Sequence, residues 1–134
     1  MTESVEELVF QVVGVAAPQG SKSLWRGRMV EANPRTKLWR IAVQEAAEKA
    51  LAGRDGFGKL PVSATAWVYL PRGKTVTRKY PSTKPDSDKL FRAIGDALTL
   101  AGVFHDDCQI VDQHAHKRYA DDQPYVEITV REKT

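Results

Sequence analysis

Val62-Ser63-Ala64-Thr65-Ala66-Trp67-Val68-Tyr69-Leu70 alternates small or branched apolar residues with polar or aromatic ones along its whole length. A period of two puts Val62, Ala64, Ala66, Val68 and Leu70 on one face and Trp67 and Tyr69 on the other, so the segment reads as a strand with one face against a core. Upstream, Asn33-Pro34 supplies a cap and a first helical residue, and a helix runs from about Thr36 to Leu51. Its stripe is Trp39, Val43, Ala46 and Ala50, with Leu38, Ile41 and Ala42 beside it, and Gly53 ends it. Before that, Leu8 to Val15 is short and rich in β-branched residues, which suits a largely buried strand, and Ala16 to Ala32 reads as a long irregular loop. Downstream of Leu70, Pro71, Gly73, Pro81 and Pro85 break a loop, and a second helix begins near Asp86 to Asp88 and runs to about Leu100. Its core face is Leu90, Ile94, Ala97, Leu98 and Ala101, and Gly102 closes it. Cys108 to Tyr119 and Pro124 to Arg131 read as two strands joined as a hairpin through Ala120 to Gln123. The expected fold is a single α+β domain over residues 1–134, in the order β-α-β-α-β-β. A four-stranded mixed sheet carries two helices mainly on one face.

The chain has 134 residues, which is one ordinary domain, and a formal net charge of +3. Distribution is more informative than the sum. Arg72, Lys74, Arg78, Lys79 and Lys84 lie between Leu70 and Pro85 without one acid, and Lys22, Arg26, Arg28, Arg35, Lys37 and Arg40 are interrupted only by Glu31. Single basic loops are common, but two that border a carboxylate cluster point to phosphate contact. Cys108 is the only cysteine, which excludes an intrachain disulfide and a cysteine-built zinc set. Polar, acidic residues from Met1 to Glu7 do not resemble a signal peptide, and no apolar run approaches the ~20 residues that span a bilayer. A cytoplasmic protein without a membrane partner is expected.

That carboxylate cluster is Lys84-Pro85-Asp86-Ser87-Asp88-Lys89-Leu90-Phe91-Arg92, followed beyond the helix by His105-Asp106-Asp107. An aspartate before a helix caps it, and one suffices. A second at i+2 adds repulsion unless a cation lies between them. Asp86, Asp88 and a third acid therefore form a candidate hard-oxygen set for Mg²⁺, with Arg92 one turn along as a phosphate-facing charge. Asp106 reads as a turn residue and Asp96 as the i,i+4 partner of Arg92. His105, His114 and His116 lack metal-ligand spacing. Trp25, Trp39 and Trp67 read as core, and Tyr80 as a ring in a basic loop.

The ordered set Asp-x-Asp-x-Leu-x-Arg at 86–92, Asp96-Ala97-Leu98, and Asp106-Asp107-x-Gln109-Ile110-Val111 resembles the RusA family of Holliday junction resolvases. Gly14 to Lys22, Gly27-Arg28-Met29 and Trp39-Arg40 resemble its phage branch. The resemblance implies a dimeric, Mg²⁺-dependent endonuclease that cuts four-way DNA junctions in recombination and repair, leaving 5′-phosphate and 3′-hydroxyl ends. It assigns metal binding and catalysis to Asp86, Asp88 and Asp107. Arg92 stands where the family commonly has lysine; a guanidinium can neutralise charge on a phosphate but cannot act as a general acid. Lys22, Arg26, Arg28, Arg72, Lys74, Arg78, Lys79, Lys84 and Lys89 are the expected DNA contacts. A non-catalytic nucleic-acid-binding module, or a nuclease preferring forks or flaps, fits the same residues. A homodimer would supply two cuts by symmetry. A continuous helix over 88–100 separates its ends by roughly 20 Å, which suggests that the partner's Asp107 completes each site.

Overall fold

The computed structural model describes residues 5–19, 22–25, 28–31 and 34–134, with the backbone alone for 22–25 and 28–31. Its elements are β1 (Glu7–Val13), β2 (Lys22–Trp25), β3 (Arg28–Glu31), α1 (Pro34–Leu51), β4 (Val62–Leu70), α2 (Ser87–Leu100), a short 3-10 turn (Asp107–Gln109), β5 (Ile110–Tyr119) and β6 (Tyr125–Glu132). Four strands form one mixed sheet in the order β1-β6-β4-β5. The α+β class, the two helices and the order of the main elements are those read from the sequence. A two-stranded antiparallel ribbon, β2 with β3, occupies part of the segment expected to be an irregular loop. Asn33 lies outside the described residues.

β4 has the strict alternation its sequence shows: every odd-placed residue from Val62 to Leu70 is buried. It pairs parallel with β5 and antiparallel with β6. The two last strands therefore flank β4 and do not form a hairpin, contrary to the sequence reading. Their connection passes over the end of β4, where the Ala120 N–H donates to the Leu70 carbonyl at 2.8 Å. Five residues at ~3.3 Å each easily cover two strand spacings of ~4.8 Å. β1 is an edge strand, with Leu8 and Val12 buried but Val9 50% and Val13 67% exposed, so it is half-buried where its apolar run suggested a largely buried strand.

Both helices cover the face formed by Val62, Ala64, Ala66 and Val68 with Val126, Ile128 and Val130. In α1 the buried stripe is Thr36, Trp39, Val43, Ala47 and Leu51. Ala46 and Ala50 are only partly buried and Leu38 and Ile41 face solvent, which corrects the expected stripe by one position. The α2 stripe holds as read from Leu90 to Leu98 and is widened by Phe91, Ala93 and Gly95. Trp39 is core as expected. Trp67 is not: it lies on the helix-free face, half-exposed, with the His116 ring stacked on it at 3.8 Å. The side chain of Trp25 lies outside the described residues.

Parallel strands need a crossover, and here it is the loop 71–86, α2 and the turn 101–109. That returning turn is docked on the segment before β4. The Phe57 N–H donates to the Val103 carbonyl at 2.8 Å, and the His105 N–H to the Gly58 carbonyl at 3.2 Å. Gly56 permits the approach: a Cβ there would lie 2.2 Å from the Val103 oxygen and 2.6 Å from the Gly102 oxygen, both backbone atoms. Gly56→Ala should therefore destabilise the fold by about 1–3 kcal/mol, as overpacking does, lowering the thermal midpoint by about 4 °C per kcal/mol. A midpoint equal to that of the parent chain in a thermal melt would show that the two turns are not held in contact.

Candidate active site

Two ends of the crossover carry the acids. Asp86 is the N-cap of α2, with extended backbone angles, yet its carboxylate makes no capping hydrogen bond. It lies 3.8 Å from the Lys89 ammonium instead. Capping therefore does not account for Asp86. Asp88 occupies the first turn and is solvent-accessible.

At the other end, Asp106-Asp107-Cys108-Gln109 forms a capping box around the 3-10 turn. The Asp106 carboxylate accepts from the Cys108 N–H at 3.0 Å, and the Gln109 side-chain oxygen accepts from the Asp106 N–H at 2.9 Å. The Gln109 amide then donates to the carbonyls of Gly58 and Leu60, both at 2.8 Å. Asp106 is thus a turn residue, as the sequence suggested. Gln109 is the pin that holds its neighbour Asp107 in place, and the Asp-x-x-Gln spacing was the readable signal for it.

Asp107 is turned onto α2. A Cβ on Gly95 would lie 3.9 Å from its Cβ and from Oδ2, so the absence of a side chain at Gly95 makes room for the carboxylate. Asp88, Arg92, Gly95, Asp107 and Gln113 line one cleft of about 230 Å³ floored by Phe91 and Ile110. Asp107 meets α2 midway along its length, which removes the reason for expecting the partner's Asp107 at the site. Seven helical residues at ~1.5 Å each put Asp88 roughly 10 Å along the axis from Gly95. The two carboxylates therefore face a shared space without touching, and Asp86 opens onto a different cavity.

Burial raises the Asp107 pKa above the usual carboxylate value, and hydrogen bonding and charge from Asp106 and the charge of Asp96 raise it further. Asp106 is held below that range by the Cys108 N–H and thiol and by its bond to Asp107. A second cavity, about 360 Å³, adjoins Asp107 on its other side and is lined by Arg40, Asp96 and Asp106. Asp96 pairs with Arg40 of α1 at 3.8 Å, not with Arg92 as expected. Arg92 is exposed and makes no ion pair among the described residues.

No group of three His, Cys, Asp or Glu among the described residues is close enough to hold one metal ion. The arrangement fits a hydrated divalent cation better than a closed cage. Mg²⁺ keeps several waters and takes one or two carboxylates plus substrate phosphate, which Asp88, Asp107 and the open cleft can provide. His114 and His116 share the helix-free face, away from the cleft.

The basic residues divide by what they touch. Arg72 donates to the carbonyls of Arg78 at 2.8 Å, Val76 at 3.4 Å and Lys79 at 3.4 Å, and its guanidinium lies 4.2 Å from the Tyr119 ring centre. Arg78 lies over the same ring at 6.0 Å and Lys79 near Tyr80 at 5.4 Å. Lys74 and Lys84 are exposed. Lys84, Lys89 and Arg35 surround a cavity of about 390 Å³ beside Asp86. Lys22 and Arg28 are placed by their backbones in β2 and β3, and Arg26 lies outside the described residues.

The profile described as Endodeoxyribonuclease RusA matches residues 12–131. The chain is also similar to the uncharacterized protein YqaN of Bacillus subtilis (strain 168), with 32% identity over 104 residues that cover 69% of this chain and 67% of that protein. The matched span takes in both acidic turns, α2, β4, β5, β6 up to Arg131 and only the last two residues of β1. The chain belongs to the RusA family of endodeoxyribonucleases, whose activity is of the Holliday junction resolvase kind.

Proposed function

We propose that this chain is a Mg²⁺-dependent, structure-specific endonuclease that hydrolyses phosphodiesters at four-way junctions, working as a homodimer in recombination and repair. The observation that carries the reading is the single cleft in which Asp88, Asp107 and Arg92 meet. A divalent ion bound there supplies Lewis acidity for water activation and for the charge that develops on phosphorus. Asp88 and Asp107 would hold it from the two ends of the cleft, directly or through its waters. Asp86, at the same helix end but opening onto the neighbouring cavity, would supply a third carboxylate. Arg92 neutralises the scissile phosphate, and Gln113 on the cleft wall orients polar groups within it. Lys84, Lys89 and Arg35 take up backbone phosphate next to the cleft, with Lys74 and Lys79 further along the loop. The products carry 5′-phosphate and 3′-hydroxyl ends, and two cuts on opposed strands require two such centres. A phage or prophage origin in a bacterial cytoplasm suits the resemblance. Among the described residues, no helix is long and apolar enough to cross a membrane.

Cleavage of a four-way junction should require Mg²⁺ and should exceed cleavage of duplex, fork and flap in the same gel assay. Asp88→Asn and Asp107→Asn should each lower the single-turnover rate by at least about 10²-fold while junction binding is kept or strengthened. Rates close to the parent's for both variants would remove the metal assignment, and junction binding with no nicking by the unaltered chain would favour a binding module.

Neutralising Lys74, Lys79, Lys84 and Lys89 together should weaken junction binding and flatten the plot of log affinity against log salt. An unchanged slope would take this loop out of the DNA interface. Arg72→Met should act differently, loosening the loop whose carbonyls it holds.

The raised pKa of Asp107 predicts the acid side of the rate profile. Cleavage that needs the ionised carboxylate falls as pH drops through that raised value. Asp106→Asn keeps a capping oxygen but removes a neighbouring charge, which lowers the Asp107 pKa. The acid limb of kcat/KM should therefore move to lower pH in this variant, and a limb that stays put or moves upward would contradict the assignment.

A further inference from the structure

Lys117 lies on β5 in register with Gln113 and Ala115, on the helix-facing side of the sheet. Its ammonium donates to the carbonyls of Thr83 at 2.7 Å and Pro85 at 2.8 Å. Pro85 is the residue before Asp86, so these bonds grip the chain where it enters α2. Two other contacts reach this segment: Arg78 donates to the Thr83 hydroxyl at 3.4 Å, and the Gln19 N–H donates to the Lys89 carbonyl at 2.9 Å. The Asp86 carboxylate makes no cap, and Arg72 holds only the earlier part of the loop, at Val76 to Lys79. Among the described residues, no other side chain bonds to the carbonyls of Thr83 and Pro85.

The opposite wall of the cleft depends on the same strand. Asp107 sits in the turn that leads directly into β5, pinned by Gln109. One strand thus references all three acids: through the chain at its start for Asp107, and through the Lys117 side chain near its end for Asp86 and Asp88. We infer that Lys117 is a positioning residue. It fixes the Asp86 and Asp88 end of α2 relative to Asp107, so that both ends of the cleft can act on one hydrated divalent cation. A half-buried ammonium that already donates to two carbonyls is engaged within the fold, which separates Lys117 from the loop lysines. This inference rests on the proposed metal-dependent reading of the cleft.

The test compares the parent chain with Lys117→Met and Lys117→Arg in three measurements. These are Mn²⁺ binding to the DNA-free protein by electron paramagnetic resonance, hydrogen exchange at the Leu90 to Arg92 amides, the first that α2 hydrogen-bonds, and junction binding in EDTA. Lys117→Met should weaken Mn²⁺ binding by about tenfold or more, the effect usual for a residue that supports metal ligands from behind. Exchange at 90–92 should quicken, and junction affinity in EDTA should stay within about twofold, as the phosphate contacts are elsewhere. Lys117→Arg, which can still reach two carbonyls, should recover most of the Mn²⁺ affinity. If Lys117→Met does not fold, Lys117→Gln carries the same comparison. Mn²⁺ binding unaltered in the Met variant, or no recovery in the Arg variant, overturns the role of Lys117 while leaving the cleft intact. A parent chain that binds no Mn²⁺ overturns the metal reading, and the role of Lys117 with it.

Discussion

The parallel pairing of β4 with β5 is the constraint from which the rest of the molecule follows. Two parallel neighbours cannot be joined by a tight turn, so the chain must leave the top of β4, return along the sheet and enter β5 from the bottom. α2 is that return path. Its N-terminal end receives Asp86 and Asp88 from the incoming loop, and the outgoing turn folds Asp107 back against Gly95. A cleft between a crossover helix and the strand that follows it is therefore built by topology, before any side chain is chosen for chemistry.

Side chains then decide what the cleft can hold. Asp107 lies against α2 with Asp106 and Asp96 nearby, and burial with these two acids raises its pKa above the usual carboxylate value. Arg40, which could neutralise it, is directed to Asp96 and to the Gln19 side chain at 3.1 Å. The cations of this chain are consequently of two kinds. Arg72 and Lys117 hold carbonyls of the loop, while Lys74, Lys84 and Arg92 are exposed and Lys89 lies near Asp86. Counting charge along the sequence merges these kinds.

Much of the architecture was legible because its signals are local. Period-two burial identified β4, the apolar stripe identified α2, and the two acidic clusters marked its ends. The β5 to β6 connection was misread because a short polar linker between two strands is the usual mark of a hairpin. A better signal was present in composition. From Asp112 to Arg118, β5 has polar residues on both faces, as befits an edge, whereas β6 alternates as cleanly as β4 and so belongs between two neighbours. The ribbon β2–β3 carries no strong period and was read as loop. Lys117 escaped because its partners are backbone carbonyls 32 and 34 residues away, and no residue pattern encodes such a contact; for Gln109 the capping-box spacing was readable, but its bonds to Gly58 and Leu60 were not. The cis placement of Asp107 was missed for a related reason: an estimate from helix length ignores a turn that doubles back.

The assignment of Asp88 and Asp107 of one chain to one ion-binding cleft is tested most directly by titrating the amide NMR spectrum with substoichiometric Mn²⁺ in the absence of DNA. Paramagnetic broadening should begin together at residues 87–92, Gly95, 106–108 and Gln113, and should vanish in Asp88→Asn and in Asp107→Asn. Broadening confined to one of these segments, centred elsewhere, or unaltered by both substitutions would contradict a site shared by the two ends of α2.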